Sequence, residues 1–287
     1  MVTISVNTGP TQSCADCFGL VPPIAFVLGG GGSLGASQVG MLKALREVGI
    51  FPDLVVGTSV GSLNGALLAS DPEHAPERLD AMWRGLSRRD VLPGRIWAVA
   101  RNWRRTRNSL YSNSGLAKII DSTLGSDVLI ESLMLPFAAV ALDIESARPA
   151  CFDSGSVRDS LLASSAIPGI FSPVLREGRW YYDGGMVASL PIAQAVAMGA
   201  KSVVVIDCTD PNASLSVPRG INELVAYLTE VVARQQRSDE LLGSVRLLYP
   251  PNPTPPGLSP LDFSKSAQLI DGAYAATVTY LNGLLNQ

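Results

Sequence analysis

The first strong hydrophobic signal is the apolar run Ile24 to Leu28, which stops at four consecutive glycines, Gly29 to Gly32, and gives way from Ala36 to Val48 to apolar residues at helical spacing. A short continuous apolar run suits a strand buried on both faces, and the glycines suit a turn. The pattern repeats at once. Leu54 to Val56 is apolar, Gly57 to Gly61 is small and tight, and Val60 to Ala69 reads as a helix stopped by Asp71-Pro72. Strands alternating with helices predict a parallel sheet covered on both faces. Pro72 to Asp121 reads as helices. Further strands are expected at Phe137 to Ile144, Trp180 to Tyr182, Val203 to Asp207 and Val245 to Tyr249, with helices at Val157 to Ala166, Pro191 to Ala197, Ile221 to Leu242 and Ser264 to Leu284.

Composition narrows the classes this pattern can serve. With 287 residues, 47% of them apolar, the chain can bury a sizeable core. A net charge of −3 argues against a nucleic-acid partner, which needs a basic face. No apolar stretch approaches the roughly 18 residues of a membrane span; the run Leu133 to Leu142 is interrupted by Pro136. Met1 to Gly19 lacks a basic start followed by an apolar run, so a cytoplasmic location is expected, with peripheral contact at the inner membrane face as the membrane role left open. That contact has a candidate in Arg95 to Arg107, where Ile96, Trp97, Val99, Ala100 and Trp103 stand among five arginines. The composition suits a helix lying on an anionic surface, and equally a helix packed on the domain with its arginines in water. Cys151 and Cys208 fall in strand-like runs and read as core thiols. Cys14 and Cys17 read as an incidental pair in a polar tail, since a structural zinc site needs four ligands and the one histidine, His74, is far along the chain.

Three segments carry candidate chemistry. Gly57-Thr58-Ser59-Val60-Gly61 fits G-x-S-x-G between a strand and a helix, where small flanking residues let a sharp turn push the Ser59 hydroxyl out at the sheet edge. A serine capping a helix between two packing glycines is the plainer reading. Asp183 follows Trp180 to Tyr182, at a strand end where α/β folds assemble sites; taken alone, Asp183-Gly184 reads better as an ordinary turn. Gly29 to Gly35 can turn backbone N–H groups into one small space, suiting an oxyanion. The same string fits a dinucleotide fingerprint from Gly30 to Gly35. That fingerprint also needs an acid at the far end of the second strand, whereas Asp53 stands at its start, so a nicotinamide cofactor is not expected. His74 lies in the helix-start sequence Asp-Pro-Glu-His-Ala-Pro and is not expected to serve Ser59.

With these segments, the stretch ASSAIPGIFSPV from Ala163 to Val174 and the following YYDGG, the chain resembles the patatin-like phospholipase family over about Ile24 to Asp207. The resemblance implies a three-layer α/β/α sandwich with a mostly parallel central sheet. Residues 1–20 would then be a flexible tail, 21–210 the catalytic domain and 211–287 a helical extension packed on it. It implies that Ser59 is the nucleophile and Asp183 its base, with Gly30, Gly31 and Gly32 forming the oxyanion hole and Gly35, Gly57, Gly61, Gly184 and Gly185 as motif glycines. The substrate would be a lipid or another acyl ester, with no metal and no cofactor. In one place the chain departs from the family: bacterial relatives usually carry arginine in the glycine loop where Leu34 stands. That departure keeps open a lipid-binding protein that retains the fold and has lost turnover.

Overall fold

The computed structural model describes residues 14–94, 96–209, 217–218, 220–238, 245–254 and 258–286. In chain order its elements are α1 (Cys14–Cys17), β1 (Ile24–Leu28), α2 (Ala36–Glu47), β2 (Leu54–Thr58), α3 (Val60–Ser70), α4 (Ala75–Gly85), α5 (Arg88–Val91), α6 (Ile96–Thr106), β3 (Ser109–Tyr111) and α7 (Ser114–Leu124). They continue as β4 (Phe137–Asp143), β5 (Arg148–Phe152), α8 (Val157–Ser164), β6 (Gly169–Phe171), β7 (Val174–Arg176), β8 (Arg179–Asp183), α9 (Ile192–Ala197), β9 (Ser202–Ile206), α10 (Ile221–Ser238), β10 (Arg246–Leu248) and α11 (Ser266–Leu285).

The central sheet runs β10-β9-β1-β2-β4-β8-β7, with β5 also paired to β4. From β10 to β4 every pairing is parallel. Both faces are covered, which is why these strands are continuously apolar. Phe26 and Leu28 enter one core with α2, α3, α4, α7, α8 and α11, while Ala25 and Val27 enter a second with α9 and Ala233 of α10. The result is a three-layer α/β/α sandwich.

The sheet is not wholly parallel. β5, β8 and β7 pair antiparallel, and β5 and β7 lie outside the strands expected from sequence. Their residues are largely exposed and β5 contains Pro149, so neither presents a continuous apolar run. Cys151 is corrected accordingly: it lies exposed on β5, whereas Cys208 is buried as expected. A small separate sheet, β3 with β6, was also hidden in a region that reads as helices and loops. At the N-terminus, Ala15, Phe18 and Leu20 are buried, so the folded domain begins before residue 21. Cys17 is a free, exposed thiol at the end of α1. Residues 1–13 lie outside those described, as do 239–244 of the expected helix ending at Leu242.

One feature of β4 decides where the chemistry falls. β2 pairs with its first half, Thr58 opposite Val140, and β8 pairs with its second half, Asp183 opposite Ala141. β5 occupies the other flank, from Ala139 to Asp143. A strand has only two hydrogen-bonding edges, so β2 and β8 share one edge of β4 and run head-on towards each other. The residue after β2 is Ser59, and the last residue of β8 is Asp183.

Candidate active site

The turn from β2 into α3 is held in a conformation that few residues tolerate. Ser59 sits at φ 55, ψ −125, a left-handed φ that is strained for serine. Glycines make the close approach feasible: a Cβ on Gly57 would fall 2.3 Å from the Gly61 carbonyl, and one on Gly61 would fall 2.2 Å from the Leu28 carbonyl. Three hydroxyls fasten the turn. Thr58 Oγ1 donates to the Ala188 carbonyl at 2.7 Å, and Ser62 Oγ to the Ser59 carbonyl at 2.6 Å. Ser164 Oγ accepts the Ser59 N–H at 2.9 Å and donates to the Val140 carbonyl at 2.6 Å. Ser164 thus bridges the two edges where the head-on strands stop pairing.

Across this junction Ser59 Oγ donates to Asp183 Oδ2 at 2.5 Å, with both residues buried. The other carboxylate oxygen, Oδ1, accepts the Gly185 N–H at 2.7 Å. Burial pushes the Asp183 carboxyl up to about 6, against the pull of the Ser59 and Gly185 hydrogen bonds. A carboxylate near that value is ionised at neutral pH yet basic enough to take a hydroxyl proton.

The glycine loop lies beside Ser59, where a Cβ on Gly30 would be 3.4 Å from Ser59 Cβ. Its amides are not equivalent. The Gly29 N–H goes to the Ile206 carbonyl and the Gly30 N–H to the Ser189 carbonyl, both at 3.1 Å. The expectation that Gly30 supplies an oxyanion donor is therefore corrected: its N–H is already used inside the sheet end. The amides of Gly31 and Gly32 meet no acceptor among the described residues. A buried polar chain sets the loop's position. Trp83 Nε1 donates to Asn64 Oδ1, Asn64 Nδ2 to Gln38 Oε1 and the Gly35 carbonyl, and Gln38 Nε2 to the carbonyls of Gly29 and Ile206. Gly35 and Gly184 pack too tightly for a side chain, against Val60 and the Val140 carbonyl respectively.

A pocket of about 70 Å³ stands over Ser59 and Asp183. Ile167, Ile170 and Met186 give it apolar walls, and Leu34, buried, is a further wall residue. Its roof comes from residues to which no sequence argument pointed: Thr229 and Glu230 of α10, and Pro260 and Leu261 of the loop before α11. That loop is tied to the glycine loop by Ser33 N–H to the Pro260 carbonyl at 2.7 Å. Periodicity in α10 marks a helix but not which face meets a site. Glu230 pairs with Arg234 at 2.9 Å.

The residues set aside stay outside the pocket. His74 caps the start of α4, exposed, with Nδ1 2.9 Å from Asp71. Asp53 accepts the Ile24 N–H at 2.6 Å, at the start of β1 and the opposite strand end from the glycine loop. No group of three or more His, Cys, Asp and Glu residues converges among the described residues.

A family model described as patatin-like phospholipase matches residues 26–196. The patatin-like phospholipase domain-containing protein 6 of Homo sapiens is 36% identical over 188 residues, covering 64% of this chain and 13% of that protein. Lysophospholipase nte1 of Aspergillus terreus is 28% identical over 288 residues, covering 92% of this chain and 18% of that protein. The chain thus spans less than a fifth of either relative. Among solved structures, human GIVD cytosolic phospholipase A2 in complex with methyl gamma-linolenyl fluorophosphonate superposes with a TM-score of 0.50 at 13% identity, over 96% of this chain and 61% of that one. At that identity the likeness is one of fold. The match at 26–196 contains Ser59, Asp183 and the glycine loop and excludes the whole roof.

Proposed function

This chain belongs to the patatin-like phospholipase family, and on that premise we propose that it is a serine lipid acyl hydrolase working through a Ser59–Asp183 dyad. The observation that carries the reading is the buried 2.5 Å hydrogen bond from Ser59 Oγ to Asp183 Oδ2. As Oγ attacks the ester carbonyl carbon, its proton passes to Oδ2. The carbonyl oxygen becomes an oxyanion beside the free amides of Gly31 and Gly32, donors of a kind worth about 2.7 to 4 kcal/mol each in such a transition state. Collapse breaks the ester bond, and the departing alcohol takes the proton from Asp183. Water then attacks the acyl-enzyme, giving a proton to Asp183, and the carboxylic acid leaves as Ser59 recovers its hydrogen. One base serves both half-reactions.

The apolar walls of the pocket suit an acyl chain, and the names of the lysophospholipase and phospholipase relatives support a phospholipid or lysophospholipid substrate. The test is labelling by a fluorophosphonate, the class of compound bound in the human phospholipase complex, together with hydrolysis of p-nitrophenyl esters and lysophosphatidylcholine. The wild type is expected to form the adduct at Ser59 and to turn over both substrates, and Ser59→Ala to do neither. A folded wild type that takes no label and releases no fatty acid would instead be the lipid-binding protein without turnover.

A further inference from the structure

The two readings left open for Arg95 to Arg107 make opposite demands on its tryptophans. A helix packed on the domain would turn its aromatic residues inward and its arginines to water, whereas a helix that meets a lipid surface keeps both outside. In α6, Trp97 is 84% exposed and Trp103 45% exposed. On the side that meets the protein, Asn102 Nδ2 donates to the Ser109 carbonyl and hydroxyl at 3.1 and 3.2 Å, Thr106 Oγ1 reaches the same carbonyl at 3.2 Å, and half-buried Val99 lies beside Leu110. Trp97, Arg101, Arg104 and Arg105 follow one another at spacings that share an outward face.

The charges on this face are unpaired and close together. Arg46, Arg78, Arg84, Arg158 and Arg179 each meet a carboxylate, while Arg88, Arg89, Arg148 and Arg246, like the α6 arginines, have none within ion-pair distance among the described residues. Among the described residues, none of Arg101, Arg104, Arg105 and Arg107 has a carboxylate within ion-pair distance, and α6 has no acidic residue in its sequence. In a chain of net charge −3 this is a local surplus of cations beside the exposed indole of Trp97. Indole rings settle at the headgroup level of a bilayer, and arginines beside them attract anionic headgroups.

The face adjoins the site. α6 packs on β3, β3 pairs with β6, and Gly169 of β6 lines the groove that also holds Trp103 and Tyr111. The next residue, Ile170, lines the pocket over Ser59. One strand therefore separates α6, at its Trp103 side, from the pocket walls.

We infer that the outer face of α6 is an interfacial docking surface for anionic phospholipid, which sets the mouth of the Ser59 pocket against the lipid that supplies its substrate. Delivery to the pocket rests on the hydrolase reading above; surface binding itself does not. No helix among the described residues is long and apolar enough to span a membrane.

The experiment is co-sedimentation of the full chain with phosphatidylglycerol vesicles and, separately, phosphatidylcholine vesicles, read with wild type, Ser59→Ala, Arg104→Glu/Arg105→Glu and Trp97→Ala/Trp103→Ala. Wild type and Ser59→Ala are expected to bind phosphatidylglycerol alike, and binding should weaken as salt shortens the screening length from about 10 Å at 0.1 M to about 3 Å at 1 M. The charge reversal should lower binding by about tenfold or more, since each surface arginine contributes roughly fivefold. Hydrolysis of a soluble p-nitrophenyl ester should not change, while release of fatty acid from vesicles falls with binding. The tryptophan variant should bind weakly and lose the vesicle-induced blue shift of indole fluorescence. Equal sedimentation of the charge-reversed and wild-type proteins overturns the inference, as does equal binding to both vesicle types. Capture by a polyanion such as RNA with no vesicle binding also overturns it, assigning the face to a different partner. Because Ser59→Ala reports binding without turnover, failure of the surface and failure of the hydrolase assignment give different results.

Discussion

The floor and the roof of the pocket are built by different rules. The floor, comprising Ser59, Asp183 and the Gly31–Gly32 amides, is fixed by backbone close approach, a strained φ at Ser59 and buried hydrogen bonds to Ser164, Gln38 and Asn64. The roof is fastened by Gln236, which joins α10 to Leu190 and Val187, by Ala233 in the core under α10, and by Ser33, which bonds the carbonyls of Pro260 and Ser259. The floor lies within the residues matched by the family model, and the roof lies wholly outside them. Reaction geometry tolerates little displacement, whereas a surface that only contacts an acyl chain or headgroup can change without touching the reacting atoms. On the proposed hydrolase reading, the roof is therefore where substrate preference is expected to be set.

The comparison breaks most sharply at the dyad. Ser59→Ala and Asp183→Ala should each lower kcat by about 10⁴-fold, and the double variant hardly further, because in the proposed dyad the nucleophile and its base would act as a unit. Activity should rise with pH through a single step near 6, as Asp183 ionises. The same ionisation opposes folding. With the folded carboxyl near 6 and the unfolded near 3.8, the folded state holds the proton more tightly between those values, so stability falls as pH rises through that window. Two units correspond to about 3 kcal/mol lost by neutral pH. Asp183→Asn should therefore melt higher than wild type at pH 7, and this gain should vanish near pH 3.5; an equal difference at both pH values would show that Asp183 is not carrying a buried charge.

A smaller effect is expected at Ser164, which touches no reacting atom and positions Ser59. Ser164→Ala strands the Ser59 N–H and the Val140 carbonyl, at about 1 to 3 kcal/mol for each buried group left unpaired. If part of that strain reaches the nucleophile, kcat falls about tenfold to a hundredfold with KM nearly unchanged, and Ser164→Thr, which keeps the hydroxyl, restores it. A rise in KM alone would place Ser164 in binding instead. The roof should give the reverse signature. Leu261→Ala is expected to raise KM for long-chain esters about threefold to tenfold, the effect of removing part of an apolar wall, while kcat and short-chain esters stay close to wild type.

How much of this was legible in the sequence follows from the same contrast. β1 and β9 read directly from Ile24 to Leu28 and Val203 to Asp207, because strands buried on both faces are apolar at every position. β5 and β7 did not, because their residues alternate irregularly between solvent and protein. Ser59 was visible through its flanking glycines, whose need is local. Asp183 looked like a turn until the family pattern was seen around it, since what brings it to Ser59 is a register on β4 about 40 residues upstream. Nor does the glycine string show that the Gly30 N–H is no donor to the site: the Ser189 carbonyl accepts it, a contact made only on folding. Thr229, Glu230 and Leu261 had no local signal at all.

The smallest effect is predicted at His74, the one side chain that a conventional serine hydrolase would recruit. It lies at the N-cap of α4, largely in solvent, with Nδ1 2.9 Å from Asp71 and no place in the pocket lining. The Asp71 hydrogen bond and charge raise its pKa above the ordinary histidine value. A raised pKa means that the pair stabilises the fold fully below the unfolded value of 6.5, and that this contribution disappears as pH climbs through the folded value. His74→Ala should thus lower the melting temperature slightly at pH 5.5, where wild-type His74 is charged, and leave it unchanged at pH 9. The rate should be indifferent to the substitution at both pH values. Steady-state kinetics of the folded variant on a p-nitrophenyl ester decide the matter: a kcat reduced tenfold or more at pH 8 would mean that the imidazole reaches Ser59 during turnover, and the aspartate would lose its standing as the sole base.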